Sequence, residues 1–386
     1  MNICIMTFRF PYPEIGGDSL RINNIASHLK KSGHRLFLLT FYGEKEPDLL
    51  TARRLYDNIV MIKHNSIEAA FFSVLAVLSG KPIQTGYYYS HRYMRALKTI
   101  LNENIDIFIP HAMRLTEYII RLGLESKTIV EQTDAVSKTY TLSDRGKGSF
   151  LKKVIYRIEK KLVPRYEEYM LRTFPKVVFV SPSDVKYLVE KYPWQRTAIC
   201  HTNGFSVPKQ VVHDYNPLKI CIMGNMRTLQ NQDAVFFFVE KVLPLISKKE
   251  PEVLLYIVGA EPPKRILNLS SSNIIITGFV EKIENEISNS CLCVAPVRIA
   301  AGIQNKVLVS MGCGVPIVMS SLISQPIPQL KNGYNCFIED AADNIAEICI
   351  KLIRDKELRN AIGMAGRKMI LDYYSWDKTL EGYEKI

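Results

Sequence analysis

Ala301-Gly302-Ile303-Gln304-Asn305-Lys306-Val307-Leu308 lies between an apolar run, residues 291–297, and a stretch, residues 309–318, that reads as helix, tight turn and strand. A small glycine-bearing loop that opens a helix behind a parallel strand offers backbone N–H groups and the positive end of a helix dipole. That combination receives anions, and Lys306 in the first turn adds a full charge. In open α/β sheets such loops sit at the carboxyl edge and hold phosphate-bearing ligands. An ordinary helix–strand connection with a surface lysine has the same outline, so the loop needs its surroundings.

The surroundings alternate strand and helix. Residues 2–7 form an apolar strand, residues 9–18 a loop carrying Gly16 and Gly17, residues 19–31 a helix with one apolar face, and residues 35–40 a second strand. Further strands are predicted at 59–63, 105–110, 127–132, 177–181 and 197–201, separated by helices. A polar, proline-bearing stretch at 206–217 reads as a linker, after which the alternation restarts. Strands then fall at 218–223, 254–258, 273–277, 291–297, 316–320 and 335–338, with helices at 233–247, 344–354 and 356–372. Such alternation predicts parallel, doubly wound sheets. The expected organisation is an N-terminal Rossmann-like domain over 1–205, a second over 218–372, and a last helix over 373–386 returning to the first. The first βαβ unit lacks the G-x-G-x-x-G spacing, so a nicotinamide cofactor is not implied.

Composition narrows the partners. The net charge of +12 lies wholly in residues 1–213, with 31 Lys+Arg against 19 Asp+Glu; residues 214–386 balance at 19 against 19. Nucleic acid and an anionic membrane surface are the usual partners of a basic face, and no nucleic-acid signature accompanies the charge. A basic amphipathic helix over 146–172, interrupted near Pro164, either docks its apolar face on the domain or lies on anionic lipid. The apolar run at 69–78 is about half of a membrane span and reads as a buried helix or a shallow membrane contact. The amino terminus passes straight into a strand, which predicts no signal peptide. Eight cysteines sit mostly in apolar segments without metal-ligand spacing, which argues against zinc and for a reducing cytoplasm. Alternation places Cys291 and Cys293 on one strand face.

Several motifs then occur in order: Gly16-Gly17 after the first strand, Gly224-x-x-Arg227 after another, Thr277-Gly278-Phe279-Val280, the 301–318 stretch, and Tyr373-Tyr374-Ser375-Trp376. Together they resemble the GT-B-fold retaining glycosyltransferases of family 4, especially bacterial sugar transferases of capsule and exopolysaccharide assembly. The resemblance implies two Rossmann-like domains facing a central cleft and a nucleotide-diphospho-sugar donor, with no metal or cofactor. It implies a lipid-linked saccharide acceptor at the cytoplasmic membrane face. Arg227 and Lys306 match the family's basic pair at the diphosphate, helped by Gly302 and the N–H groups of Ile303 and Gln304. Gly224 belongs to the same site, and the backbone of Gly278, Phe279 and Val280 matches the segment at the base edge. Gly16 and Gly17 would approach the sugar from the other domain.

Asp134 and His111 stand where relatives place groups near the reacting sugar, or cap helices. Asp18 either orients an acceptor hydroxyl or caps the first helix, and Arg21 lies on the same acceptor side. The family's E-x7-E pair is missing: Ala301 and Val309 occupy its positions, leaving Ser310 as the nearest substitute for the ribose-binding glutamate. That loss motivates the alternative of a non-catalytic GT-B partner that binds glycan or an enzyme. An epimerase on the same fold ranks below both, because the seven histidines show no cluster.

Overall fold

A computed structural model describes the chain except residues 14–16, 45–46, 48, 143–149, 211–214, 300–302 and 384–386. It divides into two compact units: Met1–Asn203 with Leu380–Ile386, and Gly204–Thr379. Gly16 and Gly302 lie outside the described residues, as do Gly146, where the basic helix was expected to begin, and the middle of the expected linker.

The N-terminal unit is built on seven short parallel strands: β1 (Asn2–Thr7), β2 (Arg35–Tyr42), β3 (Asn58–Lys63), β4 (Ile107–Pro110), β5 (Ile129–Thr133), β6 (Lys176–Phe179) and β7 (Ala198–Cys200). They pair in the orders β3-β2-β1-β4 and β5-β6-β7, and single parallel bridges, Phe108–Thr128 and His111–Glu131, connect the two sets. Ile3, Cys4, Ile5 and Met6 are all fully buried. Parallel pairing requires a crossover between strands and so covers both sheet faces, which is why β1 is continuously apolar.

A polar cluster lies inside this unit. Arg21 Nε donates to Glu131 Oε1 at 2.6 Å, and Tyr383 Oη donates to Glu131 Oε2 at 2.7 Å. Arg21 is 1% exposed and Glu131 and Tyr383 are fully buried. The expected acceptor-side role of Arg21 is therefore corrected: its guanidinium neutralises a buried carboxylate and is not presented at the surface. Tyr383, near the chain end, is held by the same carboxylate.

The C-terminal unit has one six-stranded parallel sheet: β8 (Asn216–Met223), β9 (Leu254–Val258), β10 (Ile274–Gly278), β11 (Ser290–Ala295), β12 (Ile317–Met319) and β13 (Phe337–Ile338). The order β10-β9-β8-β11-β12-β13 reverses beside β8, the doubly wound dinucleotide-fold pattern. β11 is buried on both faces. Its register against β8 shifts between Ser290 and Leu292, so Cys291 and Cys293 pack in different hydrophobic clusters and not on one face. An irregularity of this kind breaks the period-2 rule on which the expectation rested.

Three other expectations change. The helix Phe150–Thr173 runs through Pro164 without interruption, held by the buried Val163, Tyr166, Met170 and Leu171 behind its basic face. The helix Ser66–Leu78 is not buried: Ile67, Phe71, Val74 and Leu78 are 84%, 60%, 60% and 78% exposed. Among the described residues, the closing segment contains one short helix, Trp376–Thr379, before Leu380 joins the N-terminal unit.

Replacing Tyr383 by Phe leaves one oxygen of a buried carboxylate without its donor. Such a loss should lower stability by about 1–3 kcal/mol. Arg21→Met, which strands the Glu131 charge, should cost more, roughly 3–5 kcal/mol. Urea unfolding of the full chain measures both, and equal stability of all three proteins would contradict the network's role.

Candidate functional site

In the C-terminal unit the loops after β8, β9, β10 and β11 all leave the same sheet edge, because every strand is parallel. Gly224 follows β8 with φ +158° and Gly259 follows β9 with φ +149°. A Cβ on Gly259 would meet the Gly224 carbonyl oxygen at 1.8 Å, and one on Gly224 would meet Asn231 Nδ2 at 2.5 Å. The two turns therefore touch backbone to backbone, a distance only glycine allows. Gly224 N–H donates to Val258 O and Met226 N–H to Ala260 O, both at 3.0 Å, which fixes the 224–227 turn.

Arg227 projects from that turn. Its side chain is 77% exposed, with one contact at 3.4 Å to Glu261 Oε2. Glu261 itself is held at φ +54°, in left-handed backbone that non-glycine residues seldom adopt. Ion pairs this exposed are worth about 0–1 kcal/mol, so an arriving anion can displace the carboxylate.

Lys306 is the opposite case. It is the second residue of the helix Asn305–Gly312, behind β11, and its Nζ donates to Asn231 Oδ1 at 2.5 Å. Burial without a compensating carboxylate lowers its pKa from 10.5 to about 8. The ammonium is thus desolvated with no ion-pair partner among the described residues, and a phosphate oxygen beside it would relieve that cost.

Asn231 and Asn225 link the two cations. Asn231 Nδ2 donates to Asn225 O at 2.9 Å, and Asn225 Oδ1 accepts the Arg227 N–H at 2.9 Å. A hydrogen-bonded path therefore runs from Lys306 to the turn carrying Arg227. It crosses the space between β8 and β11, the strands flanking the order reversal. Nearby, Arg298 donates twice to Asp233, at 2.9 and 2.6 Å, over the same reversal. Asn225, Asn231, Asp233 and Arg298 were not singled out from sequence. Nothing in the sequence after Arg227 shows that Asn231 turns toward Lys306.

Gly278 ends β10 at φ +68°, and Phe279 after it is 75% exposed, with Val280 half-buried. Ile303 and Gln304 are half-buried in front of the helix. Ser310 is corrected: it is fully buried, and its hydroxyl donates to Val315 O at 3.0 Å. It cannot stand in for a carboxylate at a ligand. Val309 is 9% exposed and belongs to the apolar cluster around β11 and β12.

In the N-terminal unit, Asp18 lies in the first turn of the helix Gly17–Lys31, one residue inside its start, and pairs with Arg9 at 2.9 Å. It is therefore not the cap that sequence suggested. His111 is 4% exposed at the end of β4, its Nε2 4.0 Å from Asp18 Oδ1 and 3.4 Å from Thr133 Oγ1. Burial pushes its pKa down to about 4, so the ring is neutral at pH 7 and a poor proton acceptor. His111 is thus enclosed by protein at the end of β4, between Asp18 and Thr133. Asp134 is exposed after β5, and surrounding protein together with the like charges of Asp184 and Asp18 raises its pKa. Ala112 (φ +68°) and Thr133 (φ +71°) adjoin His111 and Asp134, and such backbone strain gathers at functional edges. No group of three or more His, Cys, Asp or Glu among the described residues could hold a metal ion.

Residues 217–355, which lie within the C-terminal unit, match the family model "Glycosyl transferases group 1". The chain is 23% identical over 339 residues to an uncharacterized 44.6 kDa protein in the cps region of Klebsiella pneumoniae, covering 84% of each. The solved structure of TarM, a protein of S. aureus, matches with a TM-score of 0.67 and 10% identity, covering 100% of this chain and 98% of that one. HepE of Anabaena, solved in complex with UDP and glucose, matches at a TM-score of 0.61 and 12% identity, over 99% and 98%. These likenesses show the α/β, two-Rossmann GT-B fold.

Because the pKa of Lys306 lies below its ordinary value, its proton is penalised in the folded state. The penalty is fully present below pH 8, where lysine is charged folded and unfolded, and fades between pH 8 and 10.5. Lys306→Met should therefore raise stability at pH 7 by on the order of 1–2 kcal/mol. The gain should shrink as pH rises through that window. Thermal melts of both proteins from pH 6.5 to 10 provide the check, and a destabilised variant at neutral pH would contradict the desolvated-lysine reading.

Proposed function

We propose that this chain is a family-4 retaining glycosyltransferase that moves a sugar from a nucleotide-diphospho-sugar to a lipid-linked saccharide, in cell-surface polysaccharide synthesis. The observation that carries the reading is the linkage of Lys306 and Arg227 through Asn231 and Asn225, at the strand-order reversal of a group 1 glycosyl transferase domain.

A diphosphate there would meet the Lys306 ammonium, the start of the helix Asn305–Gly312 and the exposed Arg227 guanidinium. These groups oppose the charge that grows on the leaving diphosphate as the glycosidic bond breaks, commonly the largest catalytic contribution of a preformed polar site. Phe279 and the turn at Gly278 would receive the base. With retention, an oxygen of the departing phosphate takes the acceptor proton on the same face, so no dedicated base is needed. Asp134, exposed and with a raised pKa, is the acceptor-side group best placed to steer a hydroxyl. His111 contributes shape and neutrality.

The membrane part of the proposal rests on the N-terminal unit. The helix Ser66–Leu78 presents Ile67, Phe71, Val74 and Leu78 outward at spacings of four, three and four residues, a single apolar face toward solvent. Its Phe72 ring lies 5.3 Å from His91, which opens the helix His91–Ile100 with exposed Arg92, Arg95 and Lys98. An outward apolar face bordered by cations suits an anionic lipid surface. The exposed Lys153, Arg157, Lys160, Lys161 and Arg165 add a second basic stripe. No helix among the described residues is long and apolar enough to cross a membrane. This unit would hold the enzyme at the inner face of the cell membrane as a peripheral protein.

Purified protein incubated with UDP-, GDP- and ADP-sugars should release nucleoside diphosphate and transfer sugar with the donor's anomeric configuration, read from the anomeric proton coupling. Arg227→Ala and Lys306→Ala should each lower turnover by roughly a hundredfold or more. Tight donor binding with no turnover of any donor would contradict the transferase reading. Separately, the protein should sediment with phosphatidylglycerol vesicles in low salt, and Phe71→Asp with Leu78→Asp should release it. Unchanged sedimentation of that variant would remove the helix from the membrane proposal.

A further inference from the structure

Loops leave the C-terminal sheet in strand order, and hydrogen bonds stitch three of them together. Gly259 N–H, after β9, donates at 3.1 Å to Gly278 O, at the end of β10. On the other side, Met226 N–H, after β8, donates to Ala260 O at 3.0 Å. The β9 loop therefore lies between the turn that leads to Phe279 and the turn that carries Arg227, and Glu261 stands on it. We propose that Glu261 is the carboxylate that binds the donor's ribose, accepting hydrogen bonds from its 2′- and 3′-hydroxyls. This rests on the transferase reading, which supplies the donor and lays its base at Phe279 and its phosphates at Arg227 and Lys306.

Position comes first. Neighbouring strands are about 4.8 Å apart, so β10 and β8 are separated by roughly 10 Å along the edge. A nucleotide that spans this interval from base to phosphate carries its ribose over the loop in between. Glu261 occupies that loop with its side chain 59% exposed and its Oε2 3.4 Å from Arg227 Nη1. A well-formed N–H···O bond is shorter, about 2.7–3.2 Å. The pair thus holds both side chains loosely at the edge and separates when phosphate takes the guanidinium. Released, the carboxylate presents two acceptor oxygens, which match two adjacent hydroxyl donors.

Backbone strain marks the same residue. Glu261 is held at φ +54°, and Pro262 follows it. Glycine adopts left-handed backbone without cost, and a residue before proline is ordinarily extended, so a glutamate is an expensive choice here. Strain of this kind persists where the side chain itself is needed. Ala260 O is tied to Met226 on one side and Pro262-Pro263 follow on the other, which presets the backbone that carries the carboxylate. Other carboxylates are distant in sequence or engaged. No Asp or Glu occurs between Glu286 and Glu339, the stretch that contains Lys306 and its helix. Val309 on that helix belongs to an apolar cluster, and Asp233 is held twice by Arg298. Glu281, exposed two residues beyond Phe279, is the rival.

Isothermal titration of the full chain with matched ribo- and 2′-deoxyribonucleoside diphosphates (UDP with dUDP, GDP with dGDP, ADP with dADP) isolates the hydroxyl whatever the base. In each pair that binds, the ribonucleotide should bind about tenfold or more tightly, the usual effect of a hydroxyl donating to a charged acceptor. Glu261→Gly, which suits the left-handed backbone, should melt at the same temperature or higher and bind both members of a pair equally. Glu281→Gln should keep the preference. Equal affinity within every pair for the unaltered chain overturns the proposal, as does a ribose preference that survives in Glu261→Gly. The two readings fail differently. Binding of no diphosphate at all removes the donor reading and the proposal with it, whereas diphosphate binding without a ribose preference removes the proposal alone.

Discussion

Parallel pairing is the constraint on which both units depend. When every strand runs the same way, every strand-to-helix loop leaves from one edge, and the chain must return along a sheet face before it can pair again. In each unit the first strand lies inside the sheet, with the second and third on one side and the fourth on the other. Loops therefore part beside β1 and beside β8, leaving room for a ligand where carboxyl ends diverge. Lys306 and Arg227 border one such opening; His111, Asp18 and Asp134 lie along the carboxyl edge of the other unit.

The two cations are tuned differently, and the difference has a physical cause. Arg227 stays in water with a displaceable carboxylate, so it can follow a charge that moves as a bond breaks. Lys306 is held against Asn231 in a half-buried place where its proton is costly. A site that keeps a desolvated ammonium without a carboxylate is less stable empty than an apolar one would be. This is the usual exchange of stability for preorganisation at functional sites. The Gly224–Gly259 contact serves the same end, because only bare backbones can bring the β8 and β9 turns so close.

Much of this was legible in the sequence because strands buried on both faces are written as continuous apolar runs. Thirteen strands were expected and thirteen are found among the described residues, with small shifts at their ends. Readings that failed share a cause: they concern what a side chain faces, and periodicity does not report that. Ser310 turned out to hold a backbone carbonyl in the core. Arg21 found a buried glutamate 110 positions away. Cys291 and Cys293 were separated by a register shift. The helix Ser66–Leu78 is apolar on its outer side, and composition alone cannot tell a buried helix from one whose greasy face meets solvent. Asn231 illustrates the converse, a polar residue with no motif that becomes important once the lysine beside it is placed.

Diphosphate recognition by the Lys306–Arg227 edge is the central claim, and isothermal titration with UDP, GDP and ADP beside their monophosphates tests it most directly. At least one diphosphate should bind about tenfold or more tightly than its monophosphate, a difference of ~1.4 kcal/mol or more. That difference should vanish in the Lys306→Ala variant. Equal affinity for mono- and diphosphates, or an unaltered preference after Lys306 is removed, would contradict the account.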